Sequence, residues 1–202
     1  LGCPSGTVVT KGKGAGFLMY PDQLDAFLDQ VFEVLDMKIS VKTRIGIDKP
    51  EEFERLLGVF NRYPLEELII HPRLRKDHYK GEPNLEIFEL AVHESKNPLC
   101  YNGNLFTAED IKAFVKRFPS VERLMLGRGV LGNPALVNEI HGESVLDKSS
   151  FVQFHDRLVE EYRRVLGEKD TLFRMKELWF YMSHMFDSPE KYVKGIKKAG
   201  DL

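Results

Sequence analysis

The sequence predicts an α/β fold made of strand–helix units of a β/α barrel, followed by a small α-helical unit. Two observations predict it. Short β-branched runs alternate with amphipathic helical stretches over residues 22–140, and such alternation pairs the strands in parallel through right-handed crossovers. Apolar runs also end repeatedly in polar or Gly-rich tetrads: Leu-Gly-Cys-Pro (1–4), Val-Lys-Thr-Arg (41–44), Ile-His-Pro-Arg (70–73), Tyr-Asn-Gly-Asn (101–104) and Leu-Gly-Arg-Gly (126–129). The ends of successive strands form the rim where such barrels keep their chemistry, so the chain reads as part of an enzyme.

An opening loop through the first tetrad leads to a helix over 22–36. Its Leu24, Phe27, Leu28, Val31, Phe32 and Leu35 recur at helical spacing and give one buried stripe. Residues 38–45 read as a strand containing Ile39, Val41 and Ile45, punctuated by Gly46 and Pro50. Phe53, Leu56, Leu57 and Phe60 form the inner face of the next helix. The series repeats with a strand at 68–71, a helix at 84–93 around Leu85, Phe88 and Leu90, and a strand at 98–101. A helix at 108–118 follows, with a capping arrangement at Thr107 and Asp110 and an apolar stripe of Ile111, Phe114, Val115 and Phe118. A strand at 121–126 and a short helix from Pro134 close it. The polar stretch 142–150 marks a boundary, which divides the chain into 1–142 and 151–202. Beyond it, helices at 151–166 and 171–186 carry Phe154, Leu158 and Tyr162, then Leu172, Met175, Leu178, Trp179 and Met182, and residues 191–198 read as a basic tail.

At 202 residues and 43% hydrophobic content, the chain has room for one domain and a small appendage. No apolar run approaches the roughly 18 residues of a membrane span, and no secretory pattern opens the chain, so a cytoplasmic protein is expected. Cys3 and Cys100 form neither a disulfide framework nor a metal-ligand pattern. A net charge of −2 gives no global sign of nucleic-acid binding, which makes any RNA contact local. The start at Leu1, without a methionine and inside a predicted loop, points to processing, truncation or a missing N-terminal part.

Chemistry-bearing residues sit in the tetrads. Gly2 and Pro4 fix the backbone around Cys3, which is either an ordinary loop cysteine or a thiol at the fold's mouth that gives a proton to carbon or attacks an electrophile. Cys100, beside Leu99 in an apolar strand, reads as a small core residue. Lys42 lies within a β-branched strand, where a cation is costly without a partner. Either a ligand or a barrel carboxylate supplies one, and Arg44 projects to the same side. His71 either donates to a ligand or caps its strand. Arg73, Arg75, Lys76, His78, Tyr79 and Lys80 are a solvated charge run or a loop that touches phosphates and a base. Asn102-Gly103-Asn104 and Gly127-Arg128-Gly129 end the last two strands, where barrels bind phosphate through backbone N–H groups and a short helix N-terminus, with Arg128 adding a charge-assisted contact. Neither is a Walker loop or a dinucleotide fingerprint.

Together, Gly-Cys-Pro, Gly12 to Ala15, Val-Lys-Thr-Arg-Ile-Gly (41–46), His71 with Arg73, Tyr79 with Gly81, Asn102-Gly103 and Gly-Arg-Gly-Val-Leu-Gly-Asn-Pro (127–134) resemble the tRNA-dihydrouridine synthase family of flavoenzymes. The resemblance implies an FMN-binding TIM (β/α)8 barrel followed by a helical tRNA-binding domain, and NADPH-dependent reduction of uridines in tRNA. It implies that Cys3 is the general acid, that Lys42 and His71 hold the flavin, and that Asn102, Gly103, Asn104, Gly127 and Arg128 hold its phosphate end. Arg44, Arg73, Tyr79, Arg174 and Lys176 would meet the RNA substrate. Two positions depart from the family pattern: Asn104, where many relatives carry an acid, and Pro72, where they carry a glycine. The family also places four barrel strands ahead of the Gly-Cys-Pro loop, so the chain is expected to hold the C-terminal half of the barrel and to need the N-terminal half for completion. The rival readings are another FMN-dependent barrel oxidoreductase acting on a small molecule, and a non-catalytic RNA-binding fragment.

Overall fold

The computed structural model describes residues 1–143 and 145–201. Ser144, in the predicted boundary stretch, and Leu202, at the end of the predicted helical unit, lie outside the described residues. The chain divides into two compact units: Leu1–Asn104 with Phe114–Met125, and Leu105–Ala113 with everything from Leu126 onward.

The first unit opens with a short helix, α1 (Gly6–Val9), a 3-10 helix (Gly14–Met19) and α2 (Pro21–Val34). Then come β1 (Ser40–Gly46), α3 (Glu52–Phe60), β2 (Glu67–Leu74), a 3-10 turn (Arg75–Asp77), α4 (Leu85–Glu94) and β3 (Leu99–Tyr101). After them run α5 (Ala108–Arg117), which the division cuts after Ala113, and β4 (Arg123–Leu124). All four strands are parallel in the order β1-β2-β3-β4, as expected of an α/β chain.

Register sorts the side chains by face. Thr43 pairs with Ile70 and Ile70 with Tyr101, while Lys42 pairs with Ile69, Ile69 with Cys100, and Arg44 with His71. Because strand side chains alternate, Thr43, Ile70 and Tyr101 share one face, and Lys42, Arg44, His71 and Cys100 the other. Helices cover the first face: Phe88 of α4 meets the Tyr101 ring edge-on at 4.9 Å, and Phe114 stacks on it at 4.0 Å. Phe53, Leu56, Leu57 and Phe60 of α3 are buried together, as their spacing predicts.

Local differences from the sequence reading have physical causes. β2 runs on to Leu74 through Pro72, because its pairing with β1 is irregular opposite Arg44–Gly46 and the missing N–H falls in that stretch. β4 is shorter than the strand expected at 121–126, since β3 offers it only Cys100 and Tyr101 as partners. The predicted opening loop contains α1 and the 3-10 helix, too short to show a period. In the predicted stripe of α2, Leu24 and Leu28 are buried while Phe27 is 49% exposed.

The second unit holds α6 (Arg128–Gly132), α7 (Leu136–Ile140), α8 (Lys148–Leu166), α9 (Glu168–Met182), a 3-10 turn (Ser183–Met185) and α10 (Glu190–Lys198). The segment 191–198, expected to be a basic tail, is helical as α10, with Val193 and Ile196 half-buried at i, i+3 and the helix resting on α9. Trp179 of α9 packs edge-on to Phe151 of α8 at 5.8 Å. Among the described residues, no helix is long and apolar enough to cross a membrane.

Phe88 is fully buried and touches three aromatic rings. Phe88→Ala should cost the full-length protein about 3–5 kcal/mol in urea unfolding; a loss below about 1 kcal/mol, no more than an ordinary surface change, would contradict this packing.

Candidate active site

The opening segment is laid along the end of β1 by its backbone. The Leu1 nitrogen donates to the Lys42 carbonyl at 2.8 Å, and Ala15 N–H donates to the Cys3 carbonyl at 3.0 Å. Gly14 sits at φ +55°, and a Cβ there would come within 2.9 Å of the Cys3 oxygen and 3.0 Å of its Cβ. Only glycine meets both demands. Pro4 is buried while the Cys3 side chain is exposed, so the loop is fixed and its thiol open.

Lys42 reaches the same place. Its ammonium lies 3.9 Å from where a Gly2 Cβ would stand. Burial holds its pKa below the ordinary lysine value, and the neighbouring Arg44 pushes it the same way. Among the described residues no carboxylate forms an ion pair with it. A half-buried ammonium without an acidic partner fits an electron-rich or anionic ligand.

Arg44 is only 1% exposed. Its Nε donates to the Gly2 carbonyl at 2.9 Å, Nη1 to Leu74 O at 2.8 Å and Nη2 to His78 O at 2.6 Å, and its guanidinium lies 5.4 Å from the centre of the Tyr79 ring. One side chain therefore joins the Cys3 segment, the end of β2 and the Tyr79 loop. Arg73, also 1% exposed, contacts His71 Nε2 at 3.0 Å and donates to the carbonyls of Lys80 and Gly81 and to Asn104 Oδ1 at 3.1 Å. The His71 and Tyr79 rings lie 6.0 Å apart. Asn104 donates in turn to Glu82 at 2.9 Å, and Asn102 ties β3 to β4 by donating to Met125 O at 2.8 Å. Gly103 is dictated by packing, since a Cβ there would strike the Tyr101 hydroxyl.

The first unit thus gathers Cys3, Lys42, Arg44, His71, Arg73, Tyr79, Asn102, Gly103 and Asn104 from the sequence-derived set. Gly127 and Arg128 belong to the second unit, where Gly127 precedes α6 and Arg128 lies 5.0 Å over the Phe106 ring. Arg128 also lines a cavity of about 630 Å³ with Asn133, Tyr181 and His184. In the same unit Arg174 pairs with Glu177 at 2.9 Å, and Lys176 donates to the Ala199 carbonyl after α10 at 2.5 Å. Glu82, the acceptor for Asn104, was absent from the sequence reading; an acid directly after Gly81 in a basic run was its one signal. Among the described residues, no cluster of His, Cys, Asp and Glu could hold a metal ion.

Cys100 is 3% exposed, and burial pushes its thiol up to about 11. Iodoacetamide at about pH 8, where only thiolates react fast, should therefore alkylate Cys3 in the folded full-length protein and leave Cys100 unmodified by peptide mass mapping. Labelling of Cys100 ahead of Cys3 would contradict the burial pattern.

Comparison with known proteins completes the description. The family model described as dihydrouridine synthase matches residues 1–202. The chain is 29% identical over 153 residues to the tRNA-dihydrouridine synthase B of Pasteurella multocida, covering 75% of this chain and 45% of that protein. It is 28% identical over 142 residues to the protein of the same name from Vibrio vulnificus, covering 70% and 44%. To a probable tRNA-dihydrouridine synthase of Staphylococcus aureus it is 27% identical over 209 residues, covering 100% and 59%. The chain spans about half the length of these curated relatives.

Proposed function

The chain belongs to the dihydrouridine synthase family, and from that premise we propose that it is the catalytic portion of a cytoplasmic enzyme that reduces uridine to 5,6-dihydrouridine in tRNA. What supports the reading most is one juxtaposition: an exposed Cys3 thiol on the opening segment whose preceding residue, Gly2, lies against the half-buried Lys42 ammonium at the end of a parallel sheet. Residues 1–142 are read as the second half of an FMN-binding barrel, completed by an N-terminal half, and 151–202 as part of a helical tRNA-binding domain.

FMN, when bound and reduced by NADPH, would supply the hydride for carbon 6 of the uracil. Cys3 would complete the reduction as a thiol by giving its proton to carbon 5. Lys42 would neutralise charge on the flavin's pyrimidine edge, since among the described residues no carboxylate pairs its ammonium. His71 donates a hydrogen bond to the cofactor. Asn102, Gly103 and Asn104 are assigned to the phosphate end, as are Gly127 and Arg128 from their place in the sequence. Arg44, Arg73 and Tyr79 shape the substrate side, and Arg174 and Lys176 with the α10 lysines meet the tRNA backbone.

Unmodified tRNA given to the flavin-loaded full-length protein with NADPH should gain dihydrouridine, and Cys3→Ala should lower turnover by roughly 10²–10⁴-fold with the flavin spectrum unchanged. Full activity in the variant would remove Cys3 from the chemistry. A yellow protein that oxidises NADPH only with small molecules would establish the rival oxidoreductase instead. Arg128→Ala should weaken FMN binding by roughly ten-fold or more, measured by fluorescence titration of apoprotein, and unchanged affinity would refute the phosphate assignment.

A further inference from the structure

His71 and Arg73 stand two residues apart on β2, on one face of the strand, with Arg73 Nη1 3.0 Å from His71 Nε2. A guanidinium has five N–H donors and no acceptor, so this contact exists only if Nε2 is bare. The histidine must then carry its proton on Nδ1. We infer that Arg73 is a positioning residue that locks His71 as the neutral Nδ1–H tautomer and couples that state to the Tyr79 and Asn104 loops.

The two guanidiniums that flank the ring act against its protonation, and the nearby carboxylates are engaged elsewhere. His71 is buried, and its register partner on β1 is Arg44, a second buried guanidinium. Arg73 supplies the first from its own strand. Tyr79, from the following loop, presents a neutral ring at 6.0 Å. Asp77 accepts the Leu74 N–H, and Glu82 is bonded to Asn104. Burial, like charge and a donor aimed at Nε2 all disfavour an imidazolium.

The lock has a consequence for the ligand. In this tautomer His71 offers Nδ1–H as its donor and adds no charge to those of Lys42, Arg44 and Arg73 at this end of the sheet. The same guanidinium holds Lys80 O, Gly81 O and Asn104 Oδ1. A ring turned out of place would therefore loosen the loop carrying Tyr79 and the segment after β3 together.

The consequence for the cofactor rests on the flavin reading given above, whereas the tautomer does not. Long-range ¹H–¹⁵N correlation spectra of the full-length, FMN-loaded protein labelled with ¹⁵N-histidine test it, with the His71 signals assigned by their loss in His71→Gln. The expected spectrum shows a protonated Nδ1 and a bare Nε2, unchanged between about pH 5 and 8. A proton on Nε2 at neutral pH, or a titration of the ring within that range, would overturn the inference. Arg73→Met should release the ring to titrate within the same range and make FMN affinity depend on pH there, while Arg73→Lys, which keeps a donor, should restore the bare Nε2. A purely structural arginine would give a loss of affinity independent of pH, which counts against the lock. Should Arg73→Met fail to fold, the wild-type spectrum still decides. If His71 shows the Nδ1–H form and no flavin binds, the functional reading falls and the lock stands.

Discussion

The structure around the strand ends depends on one buried guanidinium. Arg44 reaches three carbonyls that belong to three separate segments, Gly2 in the opening, Leu74 at the end of β2 and His78 in the next loop. The opening is otherwise tied to β1 by the Leu1 to Lys42 backbone contact, and His78 lies beyond the end of β2. Hydrogen bonds from a charged donor are worth about 1.5–3 kcal/mol each, and a charge buried to this degree is tolerated only when its donors are satisfied. The arginine therefore both requires the loops and orders them.

Two such arginines in adjacent strands divide the work. Arg44 ties the thiol-bearing segment to the sheet, and Arg73 ties the Tyr79 loop and Asn104 to His71. Arg44 satisfies three backbone carbonyls, and Arg73 satisfies two together with Asn104 Oδ1 and His71 Nε2. A lysine could not do the same, because a single ammonium cannot reach three diverging acceptors with a planar fork. Lys42 differs from both arginines in being a half-buried point charge that, among the described residues, no carboxylate pairs.

How much of this was legible in the sequence follows from the physics of each part. The parallel sheet was legible because β1 and β2 alternate with helices whose Phe53, Leu56, Leu57 and Phe60, or Phe88, recur at the helical period. Cys100 was legible as a core residue because it sits between apolar neighbours. The short helix α1 and α10 were not: four residues show no period, and α10 carries its two apolar contacts among five lysine and glutamate positions. The tetrads correctly singled out the strand ends, but spacing says nothing about acceptors. Arg44 and Arg73 bond chiefly to main-chain oxygens, which leave no signature in residue identity, so the sequence could place both on the working face and could not show that they fasten its loops.

The central claim is that the Arg44 guanidinium holds the Cys3 segment and the 74–80 loop as one assembly. Hydrogen exchange by mass spectrometry on full-length Arg44→Lys against the parent protein tests it most directly. The account predicts faster exchange in peptides covering residues 1–19 and 74–80 together, with the central amides of β1, β2 and α4 unchanged. Exchange that stays the same in both segments, or that rises in only one of them, would contradict it.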